Sequence, residues 1–402
     1  MAEGRQYIPK QYKGREFGAG SITQAKVATK FYKTATSNPA KTDDTGEGYI
    51  VGSVWTNTSS GQVFICSDNS AEDSVWYGQE GDIINEPFTI AGSNGYILGG
   101  YGNAGLVDTQ EKISFTSPAN ATDFGEAGRT VRNQGFGVQV DASKSFGFTF
   151  GGLRDPWPTN TADIERHGFS APTSGTNTGE LTSNRESMAT STDGTKSMLM
   201  GGLSVSDGTQ ALDTIEIVTL STTGESTSAD SGAELSTLVG YASGASDTVN
   251  GRGYRTGGNH FGASPPYPQS ASDVIEYSAF ASTADATDWG NLVTARQGHH
   301  ACHANTTGVW ASGHGGGPVN NQIETFSLSS PGNATDVGEM STTFGGHAGH
   351  SSTADYGFAT GGATPPSGYH DQIDRFSLVS SGNGSDYGEI SASRGYYGYT
   401  QG

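Results

Sequence analysis

The chain has 402 residues, 61 of them glycine, with an apolar fraction of 33% and a formal net charge of −20. This balance excludes a large aliphatic core of the helical or α/β kind and disfavours nucleic acid as a partner, because phosphate recognition needs clustered Lys and Arg. There is no 18-residue apolar run and no signal-like stretch behind Met1, so membrane insertion is not expected, and Cys66 and Cys302 do not make a disulfide framework.

Residues 1–41 carry eight Lys/Arg against Glu3 and Glu16, a balance of +6 that leaves −26 for the rest of the chain. A basic leading segment on an acidic body reads as an extended arm that docks where the body does not. Arg5, Tyr7, Lys10, Tyr12, Lys13 and Arg15 are its candidate anchoring residues. Within it, residues 21–34 (SITQAKVATKFYKT) predict a short helix opened by Ser21. Residues 42–88 predict a small β module. GYIVGSVWTNT, the turn Ser59-Ser60-Gly61 and QVFICSD form a hairpin, and Val75-Trp76-Tyr77 a third strand.

From residue 89 the chain repeats. Gly pairs stand at Gly99-Gly100, Gly151-Gly152, Gly201-Gly202, Gly257-Gly258, Gly315-Gly316 and Gly361-Gly362. About a dozen residues after each comes an isoleucine phrase: Ile113-Ser114-Phe115, Ile164-Glu165, Ile215-Glu216, Ile275-Glu276, Ile323-Glu324 and Ile373-Asp374. The isoleucines are spaced by 51, 51, 60, 48 and 50 residues. A period near 50 with a double glycine predicts the blades of a β-propeller. Each unit reads as four strands, a to d, with the Gly pair ending strand b and the isoleucine phrase on strand c. The first unit has only b, c and d, and the chain ends on RGYYGYTQG, a strand a with no b behind it. The prediction is an all-β chain with six blades over 89–402, the terminal strand completing the first blade and removing an exposed edge.

The glycine pair and the acid after isoleucine resemble kelch-type repeats. The late Trp of such a unit stands only at Trp289, with Phe124, Val337 and Tyr387 in the same slot. The phrases NATDFGE at Asn120, DATDWGN at Asp285, NATDVGE at Asn333 and NGSDYGE at Asn383 are similar to propeller repeats of marine tailed-phage virion proteins. The residue 48–77 phrase resembles a β module of phage fibre and appendage proteins. These resemblances imply a bacteriophage virion component of the tail-fibre or capsid-decoration type. Such a protein is assembled in the host cytoplasm and exposed after lysis, with other virion proteins and further copies of itself as partners.

In such a propeller the b–c loops share one face. Here they differ from unit to unit and carry Tyr101, Trp157, Phe261, Tyr267 and Tyr369, with prolines stiffening several. Aromatic side chains on pre-stiffened loops are suited to stacking on sugar rings, so a host-surface glycan or receptor is the expected ligand. The late histidines His299, His303 and His347 are a candidate transition-metal set, weighed against a plain polar channel lining. The Asp of the Thr-Asp phrase is expected to cap its own turn, and Glu126, Glu339 and Glu389 to pair with an arginine at the next turn. Repeated identical carboxylates are not a catalytic set, which needs unlike groups converging on one point. The expectation is therefore a non-enzymatic protein without a cofactor. Two alternatives stay open: a propeller enzyme acting on glycans or a copper-dependent oxidase resembling galactose oxidase, and a cytosolic kelch-type adaptor, although no BTB-like or F-box-like module precedes the repeats.

Overall fold

The computed structural model describes residues 32–401 except 41, 60–61, 71–73, 79–82, 85–92, 104, 127–130, 133–138, 141–144, 155–158, 205–209, 249, 262–268, 305–306, 312–320, 343–348, 354, 365–367 and 396–397. Among the described residues every regular element is a β-strand. The chain divides into two units, Met1–Glu86 and Pro87–Gly402.

The first unit is a five-stranded sheet of β1 (Tyr32–Ala35), β2 (Val54–Asn57), β3 (Val63–Asp68), β4 (Val75–Gly78) and β5 (Ile83–Ile84), in that spatial order. Strands β2 to β4 are the predicted hairpin and third strand. The edge strand β1 was not foreseen. It runs parallel to β2, with Lys33 opposite Trp55. Residues 32–34, read above as the end of a helix, are therefore strand, and the sheet starts before residue 42. The physical reason is a local tether. Lys33 lies 3.9 Å from the Trp55 ring centre, and Trp55 Nε1 donates to the Ser37 carbonyl at 2.8 Å. Strand alternation puts Trp55, Phe64, Cys66 and Trp76 on one face, where they pack with Tyr49.

The second unit holds six sets of four antiparallel strands. Sheet I is Gly398–Gln401, Asn94–Leu98, Thr109–Ser114 and Thr122–Glu126; sheet II is Gln139–Val140, Phe146–Phe150, Asp163–Gly168 and Thr176–Glu180; sheet III is Ala189–Thr192, Lys196–Met200, Gln210–Thr219 and Thr227–Gly240. Sheet IV is Ser243–Asp247, Arg252–Thr256, Gln269–Ala279 and Thr287–Arg296; sheet V is His300–Ala304, Thr307–Ala311, Gln322–Ser327 and Thr335–Glu339; sheet VI is Gly349–Ser352, Tyr356–Thr360, Gln372–Ser377 and Ser385–Glu389. Sheets III and IV are continuous through Asn259–Phe261, which pairs with the end of one and the start of the other. The carboxyl-terminal strand joins sheet I as expected, with Gly398 opposite Leu98 and Gln401 opposite Gly95. First strands touch in succession: those of sheets II and III, III and IV, IV and V, V and VI, VI and I, and I and II.

The second strands are buried residue after residue, as in Phe146–Phe150 and Lys196–Met200. A strand packed on both faces cannot afford alternation, which is why these segments read as short apolar or small-residue runs. Apolar clusters lie between neighbours: Ile97, Ile113 and Phe115 of sheet I pack with Phe358, Ile373 and Tyr387 of sheet VI. Register corrects one assignment. Leu98 pairs with Gln110 and Ile97 with Glu111, as Phe150 pairs with Ile164 and Thr149 with Glu165. The first copy of the isoleucine phrase is therefore Gln110-Glu111, not Ile113-Ser114-Phe115.

Candidate binding face and the joins beneath it

At five of the six sheets the acid of the third strand organises the described join to the preceding sheet. The carboxylate accepts a backbone N–H from the later part of the preceding fourth strand or the residues just beyond it: Thr182 to Glu216 at 2.7 Å, Ser236 to Glu276 at 3.1 Å, Val293 to Glu324 at 2.8 Å, Ser341 to Asp374 at 2.8 Å and Ser391 to Glu111 at 2.8 Å. Four of these acids also hold a buried arginine: Arg185 with Glu216 at 2.8 Å, and Arg255 with Glu276, Arg296 with Glu324 and Arg394 with Glu111. Burial draws the Arg185, Arg255 and Arg296 guanidinium groups below their usual range, and the facing acid opposes that shift. A charge removed from water needs such a partner.

The same segment ties back to the preceding sheet. At four of the pairs the second glycine donates to it: Gly152 to the Arg185 carbonyl at 2.9 Å, Gly202 to Val239 at 2.8 Å, Gly258 to Arg296 at 2.8 Å and Gly362 to Arg394 at 2.9 Å. One arginine residue thus binds the glycine turn of one sheet through its carbonyl and the acid of the next through its side chain. Gly151 has φ of 56°, and a Cβ on it would strike the Arg185 carbonyl. This pair therefore serves both the turn and the close approach.

The Thr-Asp-x-Gly-Glu phrase opens the fourth strand and forms a β-bulge against the acid, as between Ile323 and Glu324 or Ile373 and Asp374. Its Asp accepts from the glycine two residues on, at 2.9 Å for Asp123 and 3.1 Å for Asp336 and Asp386, as expected. The Asn ahead of it bridges sheets: Asn383 accepts from the Glu339 N–H and Asn120 from the Glu389 N–H, both at 3.1 Å. Glu126, Glu339 and Glu389 form none of the ion pairs among the described residues; the arginines go to the third-strand acids, which are the buried ones. Glu111, Glu216, Glu276, Glu324 and Asp374 are thus taken up by the joins between sheets.

Beyond the joins, described b–c loops fold as small hairpins, and those of sheets I and II also pair with the connection entering their own sheet. Tyr101–Gly102 pairs with Arg394–Gly395 and with Gly105–Leu106. Leu153–Arg154 pairs with Val131–Arg132 and with Thr159–Asn160. Of the five loop aromatics, the structure brings two together: the Tyr101 and Tyr369 rings meet at 6.0 Å and 65°, both half-buried. Phe261 is buried against Leu203 and Ala211, so its ring belongs to the core rather than to an open face. Sequence reasoning missed this because the pairing of Phe261 with Gln269 turns its side chain toward the join between sheets III and IV. Trp157 and Tyr267 lie outside the described residues, as do Arg5, Tyr7, Lys10, Tyr12, Lys13, Arg15 and His347.

His299 is buried and its Nε2 lies 3.1 Å from the Thr256 hydroxyl; His303 lies in strand His300–Ala304. Among the described residues no three His, Cys, Asp or Glu groups gather to hold a metal ion. Cys302 sits in an apolar cluster with Ile323, Met340, Ala359 and Phe376, and burial pushes its thiol up to about 12. No protein-family model matches the chain, and no curated protein matches it.

Proposed function

We propose that sheets I to VI are the blades of a closed six-bladed propeller, and that the chain is a non-catalytic bacteriophage virion protein. In this reading the leading basic segment anchors it to the particle. The propeller then displays its b–c hairpins, with the Tyr101–Tyr369 pair among them, toward a host-surface glycan or receptor.

One observation carries the closed wheel. The contacts that link sheet VI to sheet I, across the whole length of the repeat, are those that link sequence neighbours. Ser391 and Arg394 reach Glu111 as Val293 and Arg296 reach Glu324. Glu389 reaches Asn120 as Glu339 reaches Asn383. A Cβ on Gly388 would meet the Ala119 carbonyl just as one on Gly338 would meet that of Gly382. The virion assignment rests on the likeness of the repeat phrases and the small β module to phage proteins, and on the charge contrast between arm and body. The binding role rests on aromatic b–c loops that differ from sheet to sheet, beside joins that repeat one contact from a backbone N–H to a third-strand acid.

The test removes residues 1–31, which spares β1 and the tethers from Ser37 and Asp43 to the Trp55 and Trp76 indoles. Particles assembled with this variant are expected to lack the protein, while the isolated variant keeps its β-sheet circular dichroism. Incorporation at the normal level would overturn the anchoring role.

A further inference from the structure

We propose that the join between sheets V and VI is the weakest of the five described, and that the array of sheets parts there before it parts at any arginine-bearing join. This concerns how the body opens and does not depend on its ligand or on ring closure. At three joins the residue three positions beyond the N–H donor is an arginine: Thr182 and Arg185, Val293 and Arg296, Ser391 and Arg394. Between sheets III and IV that position is Val239, and Arg255 supplies the guanidinium instead from the second strand, directly opposite Glu276.

Between V and VI neither source is filled. Three residues beyond Ser341 stands Phe344, and the residue opposite Asp374 on the second strand is Ala359. The acid is also one methylene shorter than at the other joins. Its oxygens are held by the Ser341 N–H, the Ser341 hydroxyl and Gln372 Nε2, each at 2.8 Å. Gln372 Oε1 in turn accepts from the Thr342 hydroxyl at 2.5 Å. Every donor in this network is neutral. Burial raises the Asp374 carboxyl, opposed only by those neutral hydrogen bonds. Burial also raises Glu324, but there the charge of Arg296 is the largest opposing influence.

Charge-assisted hydrogen bonds are about twice as strong as neutral ones. Parting a buried ion pair before water reaches it also strands two charges in a low-dielectric interior. A join built from neutral donors lacks that barrier. Its two sheets share the apolar cluster of Cys302, Ile323, Met340, Ala359 and Phe376, as other neighbours share theirs. The polar layer is therefore where this join differs.

Amide hydrogen exchange on the full chain, resolved to single residues, tests this. The Ser341 N–H is expected to exchange about tenfold faster than those of Thr182, Ser236, Val293 and Ser391. Exchange at Ser341 as slow as at any of those four overturns the proposal. The double variant Phe344→Arg, Asp374→Glu supplies both missing parts. In a variant whose circular dichroism matches the parent, Ser341 exchange is expected to slow to the level of the other joins. If it stays fast, the missing cation is not the cause and the inference falls.

Discussion

The small sheet and the repeat body meet the same shortage of apolar residues in opposite ways. The small sheet concentrates its apolar surface in one place. Trp76 is fully buried, edge-on to Tyr49 at 5.3 Å and to Trp55 at 5.9 Å, and among the described residues no second cluster backs it up. The body spreads its surface over many interfaces, each made by two neighbours. Tyr254, Ile275 and Trp289 of sheet IV meet Phe326 and Leu328 of sheet V, and Phe148, Phe150 and Ile164 of sheet II meet Met188, Leu199 and Val218 of sheet III. A singular core depends on single side chains. A distributed one depends on a recurring polar layer that keeps neighbours in register, so losses are felt locally.

The largest expected effect tests that contrast directly. Trp76→Ala leaves a cavity among Tyr49, Trp55 and Phe64 and is expected to cost about 3–5 kcal/mol. The small sheet should unfold while the body keeps its own transition, seen as two separate steps in urea followed by tryptophan fluorescence and circular dichroism. One shared, uniformly lowered transition would show that the two regions are not independent. A middling effect should run the other way. Gln110 fills the isoleucine slot in sheet I and is fully buried, with neither side-chain amide atom bonded. Gln110→Ile restores the apolar residue found in the other five sheets. It is expected to raise the body's urea midpoint by the equivalent of about 1–3 kcal/mol, the cost of an unsatisfied buried polar group. A lowered midpoint would mean that the slot needs its polarity.

The smallest effect is an absence of reaction. The thiolate is the nucleophile, and a thiol pushed up to about 12 holds almost none at pH 8 or 9.5. Cys302 in folded protein is expected to resist iodoacetamide at both values and to label once urea exposes it, as mass spectrometry would record. Labelling that rises between the two values in the folded state would show that the join between sheets V and VI, where Cys302 sits, opens often enough to expose the thiol.

Much of this architecture was legible in the residues. The period, the Gly pairs, the module around Trp55 and Trp76, and the destination of the last strand all follow from local composition and counting. The aromatic loops were legible as loops, but not which rings would meet. Tyr101 and Tyr369 are 268 positions apart in the chain and come together because sheets I and VI are neighbours. Phe261 looked like its fellow loop aromatics until pairing buried it. The first copy of the repeat was misplaced by three residues because Gln110 breaks the apolar pattern, and only the ladder from Leu98 to Gln110 restores the register.

The residue order by itself determined the strand class, the repeat length and the turn chemistry, because these depend on side-chain periodicity and on glycine's access to positive φ. Tertiary structure alone decided which acid meets which arginine, since Glu111 and Arg394 or Glu276 and Arg255 become partners only when strands from different parts of the chain pair up. A buried charge is satisfied by whatever lies within a few ångströms in space, and sequence separation carries no information about that distance.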